Sequence, residues 1–237
     1  MDFENLFNKF QENYYSEFIL LIVEITALIL AITYARTYKT GKLFIIYIAF
    51  DLSIFLIDLY IMNNSEISIK FTSLFLRTTN TLIALIELLV YYYFFSKVIK
   101  STRLKKVLII ISILYSLIVC SFLFINFISI TARLPYIAKV IGALEFCLLL
   151  LVCIFYFIWL LQNVSSEPLL NRPSFWIMSG IFFYSIFSIP YYLISNYLFL
   201  NRIANQNILV ALFYYLPFSI NFIFLSKSFL CKKPLTI

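Results

Sequence analysis

Seven ionisable residues lie within long apolar stretches of the sequence, where a charge is costly: Glu24, Asp51, Asp58, Arg77, Glu87, Lys139 and Glu145. Insertion of one such residue at the centre of a bilayer costs about 2.5–3.5 kcal/mol, so these residues face a protein interior and mark binding sites or ion pathways. Asp51 and Asp58 are seven residues apart and share a helical face, and Arg77, Asn80 and Glu87 form a second stripe. The sequence therefore predicts an outward-facing polar pocket between helices.

The charges in this predicted pocket do not balance, because five carboxylates accompany two cations. We expect Arg77 to pair with Asp58, and Lys139 to pair with the nearest remaining carboxylate, since a paired charge costs less at depth. The excess acid would be protonated, hydrated or matched by a bound cation. Three interpretations stay open: polar contacts that only hold helices together, a ligand pocket, and an ion or proton path.

The composition requires a bilayer around this chain. Of its 237 residues 63% are hydrophobic and 12% are charged, with a mean hydropathy of +0.99, whereas soluble domains are about 45–50% apolar and about 25% charged. The sequence contains no His and no CxxC pair, which removes most zinc, haem and nucleophile–base sites. We therefore expect no enzyme activity, no metal site and no cofactor.

Seven apolar stretches approach the length of about 20 residues that a membrane-crossing helix needs. They cover residues 18–34, 43–62, 71–95, 107–127, 136–161, 175–197 and 208–225. We predict an all-α protein, a seven-transmembrane-helix bundle over residues 18–228, between an N-terminal segment, 1–17, and a short tail, 229–237. The fourth span carries no charge and is expected to face lipid more than the others.

The basic residues predict how the bundle is oriented. Of the 18 Lys and Arg residues, 12 follow spans one, three, five and seven, and such an excess marks the cytoplasmic side. An N-terminus outside and a cytoplasmic C-terminus in an inner or plasma membrane follow. The positive net charge of +7 thus reflects topology, and no nucleic-acid partner is expected.

Two prolines predict kinks near the middles of spans six and seven. Pro190 and Pro217 each remove a backbone hydrogen bond from their helix. Asn221, one turn after Pro217, is placed to satisfy a freed carbonyl. The kinks are either static features of the bundle or hinges for a conformational change.

Two stretches, TLIALIELLVYYYFFSKVIKSTRLKKVL (81–108) and EPLLNRPSFWIMSGIFFY (167–184), together with YLPFSINFIFLSKSFL near the C-terminus, resemble an uncharacterised family of compact bacterial seven-transmembrane proteins. Members occur alone and as the membrane-embedded input half of histidine kinases. The likeness is carried by Glu87, by a basic loop from Lys97 to Lys106, and by Pro173, Phe175, Trp176 and Gly180. No kinase module follows Lys233, so the resemblance implies a stand-alone sensor.

A sensor of this kind would bind a small ligand, or respond to the state of the membrane, in the polar pocket. Its output would reach a cytoplasmic partner through residues at the inner interface: Lys97, Lys100, Arg103, Lys105, Lys106, Phe175 and Trp176. Expected partners are the lipid bilayer, that cytoplasmic protein and a second copy of the chain. The alternatives are a transporter or channel for a small solute or cation, and a structural accessory subunit of a membrane complex.

Overall fold

The computed structural model describes residues 18–35, 39–63, 69–99, 101–128, 134–163, 168–200 and 215–231. Regular secondary structure in these ranges is entirely helical. Helix α1 (Phe18–Tyr34) ends in a π-helical turn (Ala31–Ala35). It is followed by α2 (Lys39–Asn63), α3 (Ile69–Val98), α4 (Thr102–Ile128), α5 (Leu134–Gln162), a 3-10 turn (Leu169–Asn171), α6 (Pro173–Leu200) and α7 (Leu216–Phe229).

Five of these helices, α2 to α6, are long and apolar enough to cross a membrane. Their apolar stretches are Gly41–Ile61, Leu74–Val98, Thr102–Ile125, Ile137–Gln162 and Pro173–Ile194. The predicted all-α class is confirmed, and predicted spans two to six agree with these stretches to within a few residues. Helix α1 is a shorter apolar helix. Residues 1–17, 208–214 and 232–237, which include parts of the predicted N-terminal segment, seventh span and tail, lie outside the described residues.

The helices pack in a circuit with one helix outside it. Helix α2 packs against α3, α3 against α5, α5 against α6, and α6 against α7, while the π-helical turn of α1 contacts both α2 and α7. Helix α4 packs mainly against α3. It is the least buried of the five long helices, with 22% of its apolar stretch buried. This low burial agrees with the expectation that the fourth span is the one most exposed to lipid.

Contacts between side chains show that the helices run in opposite directions in the pairs α2–α3, α5–α6 and α6–α7. At one end of the α2–α3 pair the rings of Phe44 and Phe94 lie 5.6 Å apart, and at the other the Thr79 hydroxyl donates to Asp58. One end of the bundle therefore collects the C-termini of α1, α3, α5 and α7. We call it the basic end because it carries these described cations: Lys42, Lys97, Arg103, Lys105, Lys106, Arg172 and Lys227.

The prediction of a basic loop from Lys97 to Lys106 is wrong. Helix α3 continues to Val98 and α4 begins at Thr102, so Arg103, Lys105 and Lys106 occupy the first turns of α4. The Ser101 hydroxyl accepts a hydrogen bond from the Leu104 amide at 3.5 Å, as residues that begin helices do. Lys and Arg are good helix formers, so a charged segment between two apolar runs is not by itself evidence for a loop.

Two of the three glycines allow close approach between helices. A Cβ atom at Gly180 would lie 2.9 Å from Asn221 Oδ1 and 2.9 Å from Phe224 Cβ, both on α7. A Cβ atom at Gly142 on α5 would lie 2.6 Å from the ring of Tyr192 on α6. A single glycine, Gly180, thus lets α6 and α7 approach closely without a GxxxG motif, and Gly142 makes room for the Tyr192 ring between α5 and α6.

Candidate functional site

Four acidic side chains from four helices form a row through the interior of the bundle. They are Glu24 on α1, Asp51 on α2, Glu87 on α3 and Glu145 on α5, and each is only 1–4% exposed. Glu24 interacts electrostatically with Asp51. Glu87 interacts in turn with Asp51 and Glu145. We call these four residues the acidic row.

The acidic row is short of hydrogen bonds. Both carboxyl oxygens of Glu24, and one oxygen each of Asp51, Glu87 and Glu145, are buried without a hydrogen-bond partner among the residues that the structure describes. A buried carboxylate without a partner is strongly unfavourable. The row is therefore stable only if its carboxyl groups are protonated or if a positive charge is bound among them.

The arrangement of the row is extended and does not form a cage. Within the described ranges, no group of three or more Asp, Glu or Cys side chains is placed to hold a metal ion. Each acid also lies near the middle of its apolar stretch. At about 1.5 Å of rise per residue, all four fall within about 7 Å of their helix midpoints. The row consequently runs sideways through the bundle, across the helix axes.

Three buried hydroxyl groups lie in the interior as well, and none of them was predicted from the sequence. Tyr115 on α4 is 1% exposed, its hydroxyl has no hydrogen-bond partner in the part described, and it interacts with Glu145 and Glu87. The hydroxyls of Ser185 and Ser188 on α6 are equally buried and unpartnered. Tyr184 immediately precedes Ser185 on α6, and Phe146 immediately follows Glu145 on α5. Because the centroids of the Tyr184 and Phe146 rings are 4.8 Å apart, Ser185 lies at the same height in the bundle as Glu145.

The sequence signal for these hydroxyls is weak, because none of them carries a charge. Tyr115 is one of 18 tyrosines in a sequence that is 20% aromatic, so its type alone carries little information. Ser185 and Ser188 are spaced three residues apart just before Pro190, which places both on one helical face. That spacing was the one available indication.

Asp58 connects the acidic row to the end of the bundle opposite the basic end. It is half-buried, lies two helical turns from Asp51 and interacts with it electrostatically. Its carboxylate accepts a hydrogen bond from the Thr79 hydroxyl at 3.4 Å. Arg77 and Lys139 are half-buried toward the same end, and Asn80 is exposed. The predicted pairing of Arg77 with Asp58, and that of Lys139 with an acid, stay predictions.

On the side of the row that faces the basic end, aromatic rings fill the interior. We call Phe44, Tyr47, Tyr91, Phe94 and Phe222 the aromatic block; each is at most 1% exposed. The Phe44 and Phe94 rings meet edge to face, and Tyr47 stacks on Phe222 at 6.4 Å. The block lies one to two turns from the row along α2 and α3. A layer packed in this way leaves little room for water between α2, α3 and α7 on that side of the row.

Of the predicted hinge residues, Pro190 lies inside α6 as expected. Pro217 is the second residue of α7 (Leu216–Phe229). The carbonyl group whose hydrogen bond Pro217 would remove lies four residues earlier, outside the described ranges. Asn221 was expected to serve a carbonyl of its own helix. Because the carbonyl that Pro217 would free is not among the described residues, this expectation stays a prediction. In the described part, the fully buried Asn221 side-chain amide donates to the Tyr91 hydroxyl on α3 at 3.0 Å.

The predicted relay residues divide between two places at the basic end. Lys97, Arg103 and Lys106 are exposed where α3 meets α4, whereas the side chain of Lys100 lies outside the described residues. Phe175 and Trp176 lie in the first turn of α6, where the Trp176 indole donates to the Leu170 carbonyl at 2.8 Å. The Lys227 ammonium of α7 lies 5.9 Å from the Trp176 ring centroid. Trp176 thus connects α6 to α7 and to the 3-10 turn.

Comparison with models of protein families, with curated proteins and with solved structures finds no match for this chain. The resemblance to seven-transmembrane input modules therefore stays an expectation. The function has to be inferred from the chemistry of the acidic row and from the helices that carry it.

Proposed function

We propose that this protein is a seven-span membrane sensor in which a positive charge taken up by the acidic row changes how the helices pack. The observation that carries the proposal is that α1, α2, α3 and α5 each contribute one buried carboxyl group, with at least one oxygen that has no hydrogen-bond partner among the described residues. A change in their charge therefore acts between helices and not within one. The packing change would be passed to a cytoplasmic partner at the basic end.

The physical basis is the difference between two charge states of the row. Ionised carboxylates at short range in a low-dielectric interior repel one another and demand water. Neutral carboxyl groups accept closer packing, because they hydrogen-bond to one another or to Tyr115. A positive charge that neutralises the row thus binds more tightly to one packing arrangement of the helices than to the other. Such a difference in affinity is the requirement for a ligand-driven change of state.

The basic end supports the proposed orientation. Exposed lysines and arginines at helix termini mark the cytoplasmic side of membrane proteins. Seven described cations lie at that end, as named above, and two, Arg77 and Lys139, lie toward the other. A cytoplasmic basic end in an inner or plasma membrane places the C-terminus inside and the N-terminus outside.

Aromatic contacts supply a route from the row to the proposed output surface. Phe95 on α3 contacts Tyr156 on α5 at 6.3 Å, and the Tyr156 hydroxyl donates to Ser174 in the first turn of α6. Trp176 lies two residues further on and contacts Phe224 of α7. Movement of α3 relative to α5 would therefore displace the start of α6, next to the relay residues.

The test is a distance measurement across the basic end. Spin labels at Lys97→Cys and Lys227→Cys, in a chain whose native cysteines are replaced, report the separation of α3 and α7 in lipid nanodiscs. We expect the distance distribution to change when pH or the concentration of small cations is varied. Asp51→Asn or Glu87→Gln should abolish the change. Glu167→Gln, which removes a carboxyl group outside the predicted spans, is the matched control. Its distance change should equal that of the unmodified protein.

A second candidate function is transport of a cation or proton. The position of Asp58 favours it, because Asp58 extends the line of acids from Asp51 toward one end of the bundle. The lateral course of the row and the aromatic block oppose it. Cation or proton flux through proteoliposomes that is lost in Asp51→Asn would establish transport instead. A purely structural role, as an accessory subunit, would follow if neutralising every acid in the row left distance changes and partner binding unaltered.

A further inference from the structure

We infer that the ligand of the acidic row is the proton, and that it enters from the end of the bundle that carries Asp58. This inference rests on the proposed sensor function and specifies its stimulus. Four observations lead to it: the burial of four carboxyl groups with oxygens that lack partners among the described residues, a buried Tyr115 hydroxyl that lacks one as well, the half-buried position of Asp58, and the aromatic block.

The geometry favours a proton over a metal ion. A metal needs three or more ligands converging on one point, and no described group of acidic or thiol side chains converges in that way. The acids interact instead as successive pairs, from Glu24 through Asp51 and Glu87 to Glu145. A proton neutralises a carboxylate with a single O–H bond and needs no such convergence.

The Tyr115 hydroxyl on α4 is a further polar group beside the acids. It is buried, has no hydrogen-bond partner in the described part of the chain and interacts with Glu145 and Glu87. A phenol both donates and accepts a hydrogen bond. It is thus suited to hold a protonated carboxyl group, or to donate to one that has lost its proton.

The other titratable groups around the row are phenols. Tyr47 on α2, Tyr91 on α3, and Tyr184 and Tyr192 on α6 interact with acids of the row or with one another. Helix α7 contributes the amide of Asn221, bound to Tyr91. Arg77 and Lys139 lie on the Asp58 side. Phenols stay neutral at physiological pH, so proton uptake on the row is carried by the carboxyl groups.

Access to the row is asymmetric. On one side, Asp58 is half-buried, is held by Thr79 and interacts with Asp51. On the other, Phe44, Phe94 and Phe222 are fully buried and packed together. A hydronium ion at the Asp58 end gives a proton to the Asp58 carboxylate and leaves a water molecule. Because Asp51 lies about 10 Å further along α2, the Asp58 O–H bond breaks as the proton passes to water that enters from the same end, and this water protonates Asp51. The block prevents release of the proton at the basic end, so the row fills and empties from one side.

The experiment changes pH on each side of a membrane separately. Proteoliposomes carry the protein with an environment-sensitive fluorophore at Lys97→Cys, the native cysteines being replaced, and impermeant buffers set the two pH values. We expect acidification on the Asp58 side to change the fluorescence and acidification on the basic side to leave it unchanged. Asp58→Asn should slow the response about 100-fold, as loss of a proton-transfer group does, without reducing its final amplitude.

A second variant tests the same proposal if the Asp58→Asn protein does not fold. Thr79→Val keeps the Asp58 carboxylate but removes its hydrogen-bond donor, and it should alter the response rate while Thr78→Val on the same helix does not. An equal response to pH on the basic side would overturn one-sided entry. A response to added sodium or potassium at constant pH, with none to pH, would overturn the proton as ligand while leaving the sensor proposal intact. No response to any of these stimuli would overturn both.

Discussion

The side-chain amide of Asn221 on α7 donates a hydrogen bond of 3.0 Å to the hydroxyl of Tyr91 on α3, one helical turn from Glu87. Both residues are at most 1% exposed. The bond joins two helices that are far apart in sequence at the level where the acidic row meets the aromatic block. It fixes α7, which contributes no acid, to the helix at the centre of the row.

We predict that Tyr91→Phe and Asn221→Leu each lower the free energy of unfolding by about 0.6 kcal/mol, and by no more than about 1.7 kcal/mol, as hydrogen bonds between membrane helices do. The double variant should cost little more than either single change. Unfolding of the detergent-solubilised protein, followed by loss of helicity, measures the three values. Additive losses would contradict the direct bond. Tyr93→Phe, an exposed tyrosine on α3, is the control.

The two glycines at helix contacts should respond differently to alanine. At Gly180 the new Cβ would meet Phe224 Cβ at 2.9 Å and Asn221 Oδ1, and Phe224 Cβ cannot move unless α7 moves. Overpacking of this kind costs about 1–3 kcal/mol. At Gly142 the nearest atoms belong to the end of the Tyr192 side chain, which can rotate away.

Gly180→Ala is therefore expected to reduce the unfolding free energy more than Gly142→Ala. Thermal unfolding of the two variants in the same detergent gives the comparison. Equal losses, or a larger loss at Gly142, would show that the Tyr192 ring is held as firmly as the backbone of α7.

The sequence predicted most of the fold because apolar length depends on local composition alone. The first predicted span coincides with α1, and the boundaries of α2 to α6 lie a few residues away. Burial of Glu24, Asp51, Glu87 and Glu145 also followed from their position in apolar runs. The positions of apolar and charged residues along each single helix are sufficient to predict its bounds and the burial of its acid.

What the sequence did not predict depends on contacts between helices. No property of Asn221 alone shows that its side-chain amide donates to Tyr91 on α3. The succession of carboxyl pairs from Glu24 to Glu145 likewise depends on α3 packing against α5 and not only against α4. Tyr115 was missed because a phenol in an aromatic-rich sequence has no distinguishing pattern until its neighbours are known.

Trp176→Phe should weaken the coupling at the basic end while leaving the core intact. In the chain labelled at positions 97 and 227, which has lost Lys227, the substitution removes the indole donor to the Leu170 carbonyl. We expect the spin-label distance change between positions 97 and 227 to shrink, with an unfolding free energy lowered by about 1 kcal/mol. Trp159→Phe, on α5 at the same end, is the matched control. An unchanged response would remove Trp176 from the relay.

Cys231 allows the orientation to be tested by chemical labelling. It follows α7 at the basic end, and burial raises the pKa of its thiol, an effect that nearby Lys227 partly offsets. Because the thiolate is the reactive form, labelling by an impermeant maleimide should be slow at neutral pH and faster at alkaline pH. In intact cells Cys231 should be protected until the membrane is permeabilised. Labelling without permeabilisation would place the C-terminus outside.

The acidic row should make the folded protein less stable as pH rises. Its carboxyl groups are buried without full hydrogen bonding, so folding favours their protonated form, whereas the unfolded chain releases these protons to water. The folded state then binds more protons than the unfolded state, and stability falls with increasing pH. The slope is about 1.4 kcal/mol per pH unit for each carboxyl group that is protonated only in the folded state.

Replacing any one acid of the row by its amide, for example Glu24→Gln, should therefore flatten this slope by about one proton equivalent, or about 1.4 kcal/mol per pH unit. The variant should equal or exceed the unmodified protein in stability at alkaline pH. Asp58→Asn should change the slope less, because Asp58 is half-buried and hydrogen-bonded to Thr79. Chemical unfolding in detergent at several pH values provides the slopes. If all four amide variants kept the original slope, the row would be exchanging no protons on folding, and both its neutral state and its role in proton binding would have to be abandoned.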